Sequence, residues 1–298
     1  MAGLLSRIKK SLPVSTQDFV DRALGHVVDE KTWLKKTPIS TLVYRKIRYL
    51  SAGAGYALQR NEQRFLRYKD RYLGRRAFVL GNGPSLNKCR LDLLDNEYTF
   101  GVNSIFLKNG FSPTFYVVED TFVAEDRGVE ICNLSRPTKF FGNYLEYCLQ
   151  ETPNTIWMNV CVQYHEYPGF PKFSKNAVRM LWVGGTVLYL CLQLAYYMGF
   201  SEVFLVGVDH DYVIPKDAEV SNVRESGADI LSRSDDPNHF HPGYFGVGYR
   251  WHDPKVDRME AAYRRAREVY EADGRTIYNA TAGGKLEVFD RVAYEDLF

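Results

Sequence analysis

From Ala77 onward the chain repeats one pattern: a short apolar run, a cluster of glycine and amide residues, then a segment mostly long enough for a helix. The runs are Ala77–Leu80, Tyr98–Val102, Thr114–Val118, Lys139–Phe141, Thr155–Asn159, Glu202–Val206 and Thr276–Tyr278. Continuous apolar runs suit strands buried on both faces, and strands alternating with helices predict a mainly parallel sheet with helices on both sides. The expected fold class is therefore α/β and Rossmann-like, over residues 77–298. Ligands of such sheets collect at the carboxyl ends of the strands. Here those ends are polar: Gly81-Asn82-Gly83, Asn103-Ser104, Glu119-Asp120, Gly207-Val208-Asp209-His210-Asp211-Tyr212 and Asn279-Ala280-Thr281. Five such ends predict one shared ligand site.

The first turn, FVLGNGPSL (Phe78–Leu86), is the most specific of them. Gly81 and Gly83 permit backbone angles and close approaches that a side chain blocks, and Pro84-Ser85 opens a helix that Ser85 is placed to cap. A capped helix start attracts anions. The turn is neither a Walker A loop nor the Gly-x-Gly-x-x-Gly fingerprint, because Leu86 stands where the third glycine belongs. By spacing alone a ligand-free tight turn remains equally open.

Composition bounds the rest. The 298 residues are 45% hydrophobic and 25% charged, as in a soluble globular chain. There is no apolar run of eighteen residues and no secretory leader pattern in MAGLLSRIKKSLP, which predicts a cytoplasmic protein. Five scattered cysteines, never in a C-x-x-C pair, predict neither a disulfide framework nor a zinc site. The net charge of +2 conceals an asymmetry: residues 1–76 hold 17 Lys/Arg against 6 Asp/Glu, and the remainder 21 against 30. Breaks at Pro13, Pro38 and Ser51–Gly55 divide residues 1–76 into short helices, a basic arm suited to an anionic membrane surface or to an acidic face of its own protein. No aromatic-basic strand motif accompanies the charge, so no nucleic acid partner is expected. Self-association into a homo-oligomer is left open.

Taken in order, GNGPSL, GVNSIF, the block from Gly184 to Tyr212, NHFHPGYFG and IYNATAGGKLEVF resemble the MptE-like domain family, named for an archaeal 6-hydroxymethylpterin diphosphokinase. The same segments are similar to family-42 bacterial sialyltransferases and to Maf-type flagellin glycosyltransferases. The resemblance spans about residues 70–298. It implies that Asn82 and Asn103 contact a CMP-sugar, that Asp209 lies at the donor and that His239 is the general base, with His241 as its rival. Tyr212, Tyr244 and the N–H groups of Gly184-Gly185-Thr186 are then suited to the leaving phosphate. The wider set of nucleotide-sugar contacts comprises Gly81, Gly83, Pro84, Ser85, Gly185, Thr186, Asp211, Tyr212, Asn279 and Thr281.

The chain departs from those sialyltransferases in placing Asp211 where they have a tyrosine, with Tyr212 one position later and no second tyrosine in VIPKDAEV. The resulting Asp209-x-Asp211 spacing is open to Mg²⁺ or Mn²⁺, although the main reading needs no cofactor. The expected function is transfer of a CMP-activated nonulosonic or ulosonic acid to a glycan or lipid-linked glycan. Two alternatives stand beside it: an ATP- and Mg²⁺-dependent diphosphokinase, with Asp209, Asp211, Glu119 and Asp120 as metal ligands, and a non-catalytic sugar-nucleotide-binding protein.

Overall fold

The computed structural model describes residues 39–161, 171–224 and 227–298. The N-terminal part of the expected basic arm, residues 1–38, lies outside the described residues. Two helices open the described chain, α1 (Ile39–Gly53) and α2 (Arg60–Leu66). All seven apolar runs form strands: β1 (Arg76–Leu80), β2 (Tyr98–Val102), β3 (Phe115–Val118), β4 (Thr138–Gly142), β5 (Thr155–Met158), β8 (Glu202–Val206) and β12 (Thr276–Asn279). With β13 (Asp290–Arg291) they make one eight-stranded sheet of order β13-β12-β8-β1-β2-β3-β4-β5, every neighbouring pair parallel. The fold is a Rossmann-like α/β fold.

The strand order carries the functional consequence. The chain moves outward in one direction from β1 to β5, then returns to lay β8 on the other side of β1. The ends of β1 and β8 therefore diverge into connections that leave in opposite directions, which opens a crevice at their carboxyl edge. Two short strands, β6 (Val160–Cys161) and β7 (Leu181–Trp182), pair beside the main sheet. An antiparallel sheet of β9 (Glu219–Arg224), β10 (Gly227–Leu231) and β11 (Arg250–His252) follows β8.

Helix α5 (Val187–Met198) is buried at all of its positions, as its near-continuous apolar sequence requires, and Gly199 ends it with a left-handed φ of 94°. The long α6 (Val256–Ala272) instead buries Met259, Ala262, Tyr263, Ala266, Val269 and Tyr270, the three-and-four spacing of a one-sided helix. Two short helices, α3 (Thr121–Asp126) and α4 (Gly128–Asn133), follow β3, with Asp120 capping Phe122 N–H and Val123 N–H.

Part of the segment before β1 belongs to this core. Phe65 of α2 packs against Phe140 and Tyr197. Asn61 gives its amide N–H to Trp157 O (3.0 Å) and accepts Trp157 N–H (2.8 Å). Asn61 so takes the place of a ninth strand at the open edge of β5, which blocks pairing with another chain there.

Candidate functional site

Two glycine turns meet at the crevice. Gly81 N–H bonds Val206 O (2.8 Å) and Gly83 N–H bonds Gly207 O (2.9 Å), so the turn after β1 lies directly on the turn after β8. A Cβ on Gly81 would stand 2.5 Å from Gly207 O. A Cβ on Gly83 would overlap the Asp209 carboxylate, 2.7 Å from its Cγ. The glycines are thus required by protein packed on protein rather than by a ligand. Ser85 does not cap a helix as its sequence suggests. Pro84–Lys88 is a short 3-10 turn that starts at Gly83, and Ser85 Oγ donates to Asp209 Oδ2 (2.7 Å), joined by Ser85 N–H (3.2 Å). The carboxylate outcompetes the backbone because a charged acceptor makes the stronger bond. Asp209 accordingly fastens the two turns together.

Around them lies a cavity of about 100 Å³ lined by Gly81, Asn82, Gly83, Asn103, Thr186, Asp209, His210, Asp211, Tyr212, Asn238, His239 and Tyr244, with apolar neighbours from β2, α5 and β8. Most of the residues expected at the site are here. Pro84, Ser85, Gly185, Asn279 and Thr281 do not line it. Asn279 spends its amide on Leu286 O (2.9 Å) and Thr281 N–H (3.0 Å), and Thr281 Oγ1 accepts Val208 N–H (3.0 Å). This pair anchors the loop after β12 to the end of β8.

The asparagines behave differently. Asn82 is 8% exposed; its Nδ2 donates to Val102 O (3.1 Å) and Tyr244 Oη (2.7 Å), while its Oδ1 is buried without a partner. Asn103 holds a left-handed φ of 46° and its Oδ1 is also buried and unpartnered. Buried oxygens without donors are rare and costly. Both belong to residues that line the cavity, so two acceptors await a donor there.

The far wall comes from the loop between β10 and β11. Phe240 N–H bonds Asn82 O (2.8 Å), Asn87 Nδ2 bonds Phe240 O (2.7 Å), and Asn238 pairs both ways with the Val213 backbone (2.7 and 2.8 Å). Arg127 donates to the carbonyls of Gly243 and Tyr244. Within this clamped loop His239 Nδ1 lies 2.7 Å from Asp236 Oδ2, and the imidazole stacks on Tyr244 at 3.9 Å and 1°.

Asp236 also accepts Asn238 N–H (2.8 Å) and Phe245 N–H (2.9 Å). Burial pushes its carboxyl up, but the His239 partner and these N–H groups hold it below its ordinary value. Asp236 is an ionised orienter that fixes the His239 ring through Nδ1. His241, the rival, accepts Gly243 N–H at Nδ1 (3.1 Å) and does not line the cavity. Tyr244 accepts from Asn82 and Ser104, and burial pushes its phenol far up.

Sequence reasoning missed Asp236 and Asn238. The only signal is Asp236-x-x-His239, a spacing that also occurs in any polar turn.

The four carboxylates considered as metal ligands are held apart. Asp209 is bonded to Ser85, Asp211 to Lys285 Nζ (2.8 Å), and Asp120 to the start of α3. Burial pushes Glu119 up to about 8, with the Asp120 charge adding to it. Among the described residues no three His, Cys, Asp or Glu side chains converge as a metal group would require.

A parallel sheet with a crevice at its switch point, walled by a clamped loop, defines a Rossmann-like α/β protein with one polar carboxyl-edge site. The sequence model described as 6-hydroxymethylpterin diphosphokinase MptE-like matches residues 56–215, more than half of the chain, and the chain belongs to this MptE-like family. No curated protein matches it. No helix among the described residues is long and apolar enough to cross a membrane.

Proposed function

We propose that the protein is a glycosyltransferase that moves a nonulosonic or ulosonic acid from its CMP-activated form to a hydroxyl of a glycan. The observation that carries this reading is the shared cavity of His239, oriented by Asp236, and the unpartnered oxygens of Asn82 and Asn103. An amide oxygen accepts from the cytosine amino group or a ribose hydroxyl, giving specificity without charge. At about 100 Å³ the cavity seats one end of the donor, and the rest extends past Asp211 and Tyr212 toward solvent.

In the transfer, the sugar–phosphate bond breaks and its electron pair leaves with CMP. The acceptor hydroxyl oxygen attacks the anomeric carbon and gives its proton to His239 Nε2, the ring nitrogen opposite the Asp236 bond. Asp236 balances the imidazolium that forms. The Tyr212 hydroxyl and the N–H groups at the start of α5 face the departing phosphate.

An amphipathic surface supports work on lipid-linked acceptors. Val43, Ile47 and Leu50 of α1, spaced four and three apart, are exposed together with Tyr44, while Tyr49 and Ala52 on the other side are buried. Residues 31–61 contain seven Lys/Arg and no Asp or Glu. Arg45 and Arg48 pair with Glu146 and Glu62, and the outward apolar groups beside the other basic residues suit an anionic lipid surface, each exposed basic residue adding roughly 1 kcal/mol.

The test is a thermal-shift panel of CMP, CDP, UDP, GDP and ATP, each with and without Mg²⁺. CMP is expected to stabilise the protein without metal. Stabilisation by ATP and Mg²⁺ alone would replace this reading with the diphosphokinase activity in the family's name.

A further inference from the structure

His210 has no role in the chemistry above, yet it is a deeply buried ionisable group of the cavity wall. The residue is 5% exposed and its side chain 1%. Both ring nitrogens are buried without a hydrogen-bond partner. The backbone adopts a left-handed φ of 55°, a region that histidine, like Asn and Asp, enters more readily than most residues with a Cβ. A buried imidazole in the cavity wall, whose nearest polar partner is Glu260 Oε1 at 3.6 Å from Nε2, has hydrogen-bonding capacity left for a ligand.

Its surroundings identify the ligand's charge. Thr186, Val187 and Leu188, the start of the twelve-residue α5, share the wall with His210. Thr186 Oγ1 caps Leu188 N–H (3.3 Å), and the positive end of the helix opens on the cavity. Beneath Gly185 lies the stem of Arg258 from α6, its Cγ and Cδ 3.4 Å from the position of a Gly185 Cβ; the residue is 4% exposed. The carboxylates nearby are engaged: Asp209 with Ser85, Asp211 with Lys285, and Glu260 with Arg264 Nη1 (3.1 Å). Glu260 Oε1 stands 3.6 Å from His210 Nε2, and the rings of Tyr212 and Tyr263 approach it edge-on at 6.1 Å. His239 lies on the loop across the cavity.

We propose that His210 is the inner anion-binding residue of this cavity, giving a ring N–H to a phosphate oxygen seated at the start of α5. The proposal rests on the donor-site reading for the identity of the nucleotide, and on the residues alone for the anion. Burial holds the imidazole below its ordinary value, with Glu260 pulling it partly back, so the ring is neutral in the empty cavity at pH 7. An arriving dianion favours the protonated ring, and binding takes up a proton.

The experiment compares full-length wild type with His210→Asn, since Asn tolerates the left-handed backbone. CMP, cytidine and inorganic sulfate, which does not titrate between pH 6 and 8, are measured by calorimetry in two buffers of different ionisation enthalpy. The expected result is a ten- to hundredfold loss of CMP and sulfate affinity in the variant with cytidine affinity kept. Wild type should also take up protons at pH 7, and the variant should not.

Sulfate binding that depends on His210, without any CMP binding, would keep the anion site and remove the CMP reading. Equal loss of cytidine and CMP would reduce His210 to a structural residue. Unchanged CMP and sulfate affinity, or no anion binding by wild type, would overturn the proposal. If His210→Asn does not fold, proton uptake by wild type on sulfate binding decides, its absence being the refuting result.

Discussion

Gly83→Ala separates a glycine kept for a ligand from one kept for the protein. Gly83 has φ −67° and ψ 162°, extended angles open to any residue, so alanine adds no backbone strain. The added Cβ instead displaces the Asp209 carboxylate and meets Gly207 O at 2.9 Å. Displacement breaks the bonds from Ser85 Oγ and Ser85 N–H, and Ser85 is 2% exposed, so its hydroxyl is left unsatisfied. Two hydrogen bonds to a charged acceptor contribute about 1.5–3 kcal/mol each, the longer one less. Alanine returns about 0.4–1 kcal/mol by restricting the unfolded chain.

The net expectation is a loss of about 2–4 kcal/mol by urea denaturation without ligand. Asp209→Ala should cost a similar amount. Because the carboxylate is then already gone, the double variant should be little worse than Asp209→Ala, a coupling of about 2 kcal/mol. Additive losses, or an unchanged urea midpoint with weakened CMP binding only, would refute the packing argument.

His239→Ala should lower turnover, measured as CMP release, by about a hundredfold to ten-thousandfold with CMP affinity kept, whereas His241→Ala should leave both near wild type. Asp236→Asn should lower turnover by about a hundredfold while the ring stays in place. Because its folded carboxyl lies below its ordinary value, the variant should also lose the stability that wild type sheds as pH falls below about 4. Glu119 works in the opposite direction. Its carboxyl, raised from 4.5 to about 8, makes wild type lose up to about 1.4 kcal/mol per pH unit as pH rises between those values. Glu119→Gln should flatten that slope in denaturation series, and parallel slopes would contradict the burial argument. Ile47→Glu with Leu50→Glu should cut sedimentation with phosphatidylserine vesicles about tenfold and leave CMP binding intact; equal sedimentation would remove the membrane role.

The strands of the central sheet were legible because burial on both faces leaves continuous apolar runs such as FVL before Gly81 and VFLV before Gly207. Asp290–Arg291 escaped notice because an exposed two-residue edge strand has no apolar signature. The meander of EVSNVR, GADIL and RWH escaped for a related reason: Glu219–Val223 is exposed on both faces, and GADIL and RWH are too short to show a period. At the site, amide and histidine positions were readable from motif order. The partnerships were not. Asp236 reaches His239 through a turn, and Ser85 answers to a carboxylate 124 positions away, which no local pattern records.

Asn82 accepts Phe240 N–H at its backbone carbonyl and donates its side-chain amide to Tyr244, whose ring stacks on His239. One residue therefore touches both the cavity and the ring on which His239 stacks. A substitution at position 82 would shift the His239 imidazole along with it, so mutations accepted there depend on compensating changes at 240 and 244. On the proposed reading, choosing a nucleotide and moving a proton are inherited together. Divergence of substrate within this lineage has its freer route through Asp211 at the open mouth, where the side chain is half exposed and paired with Lys285 at the surface.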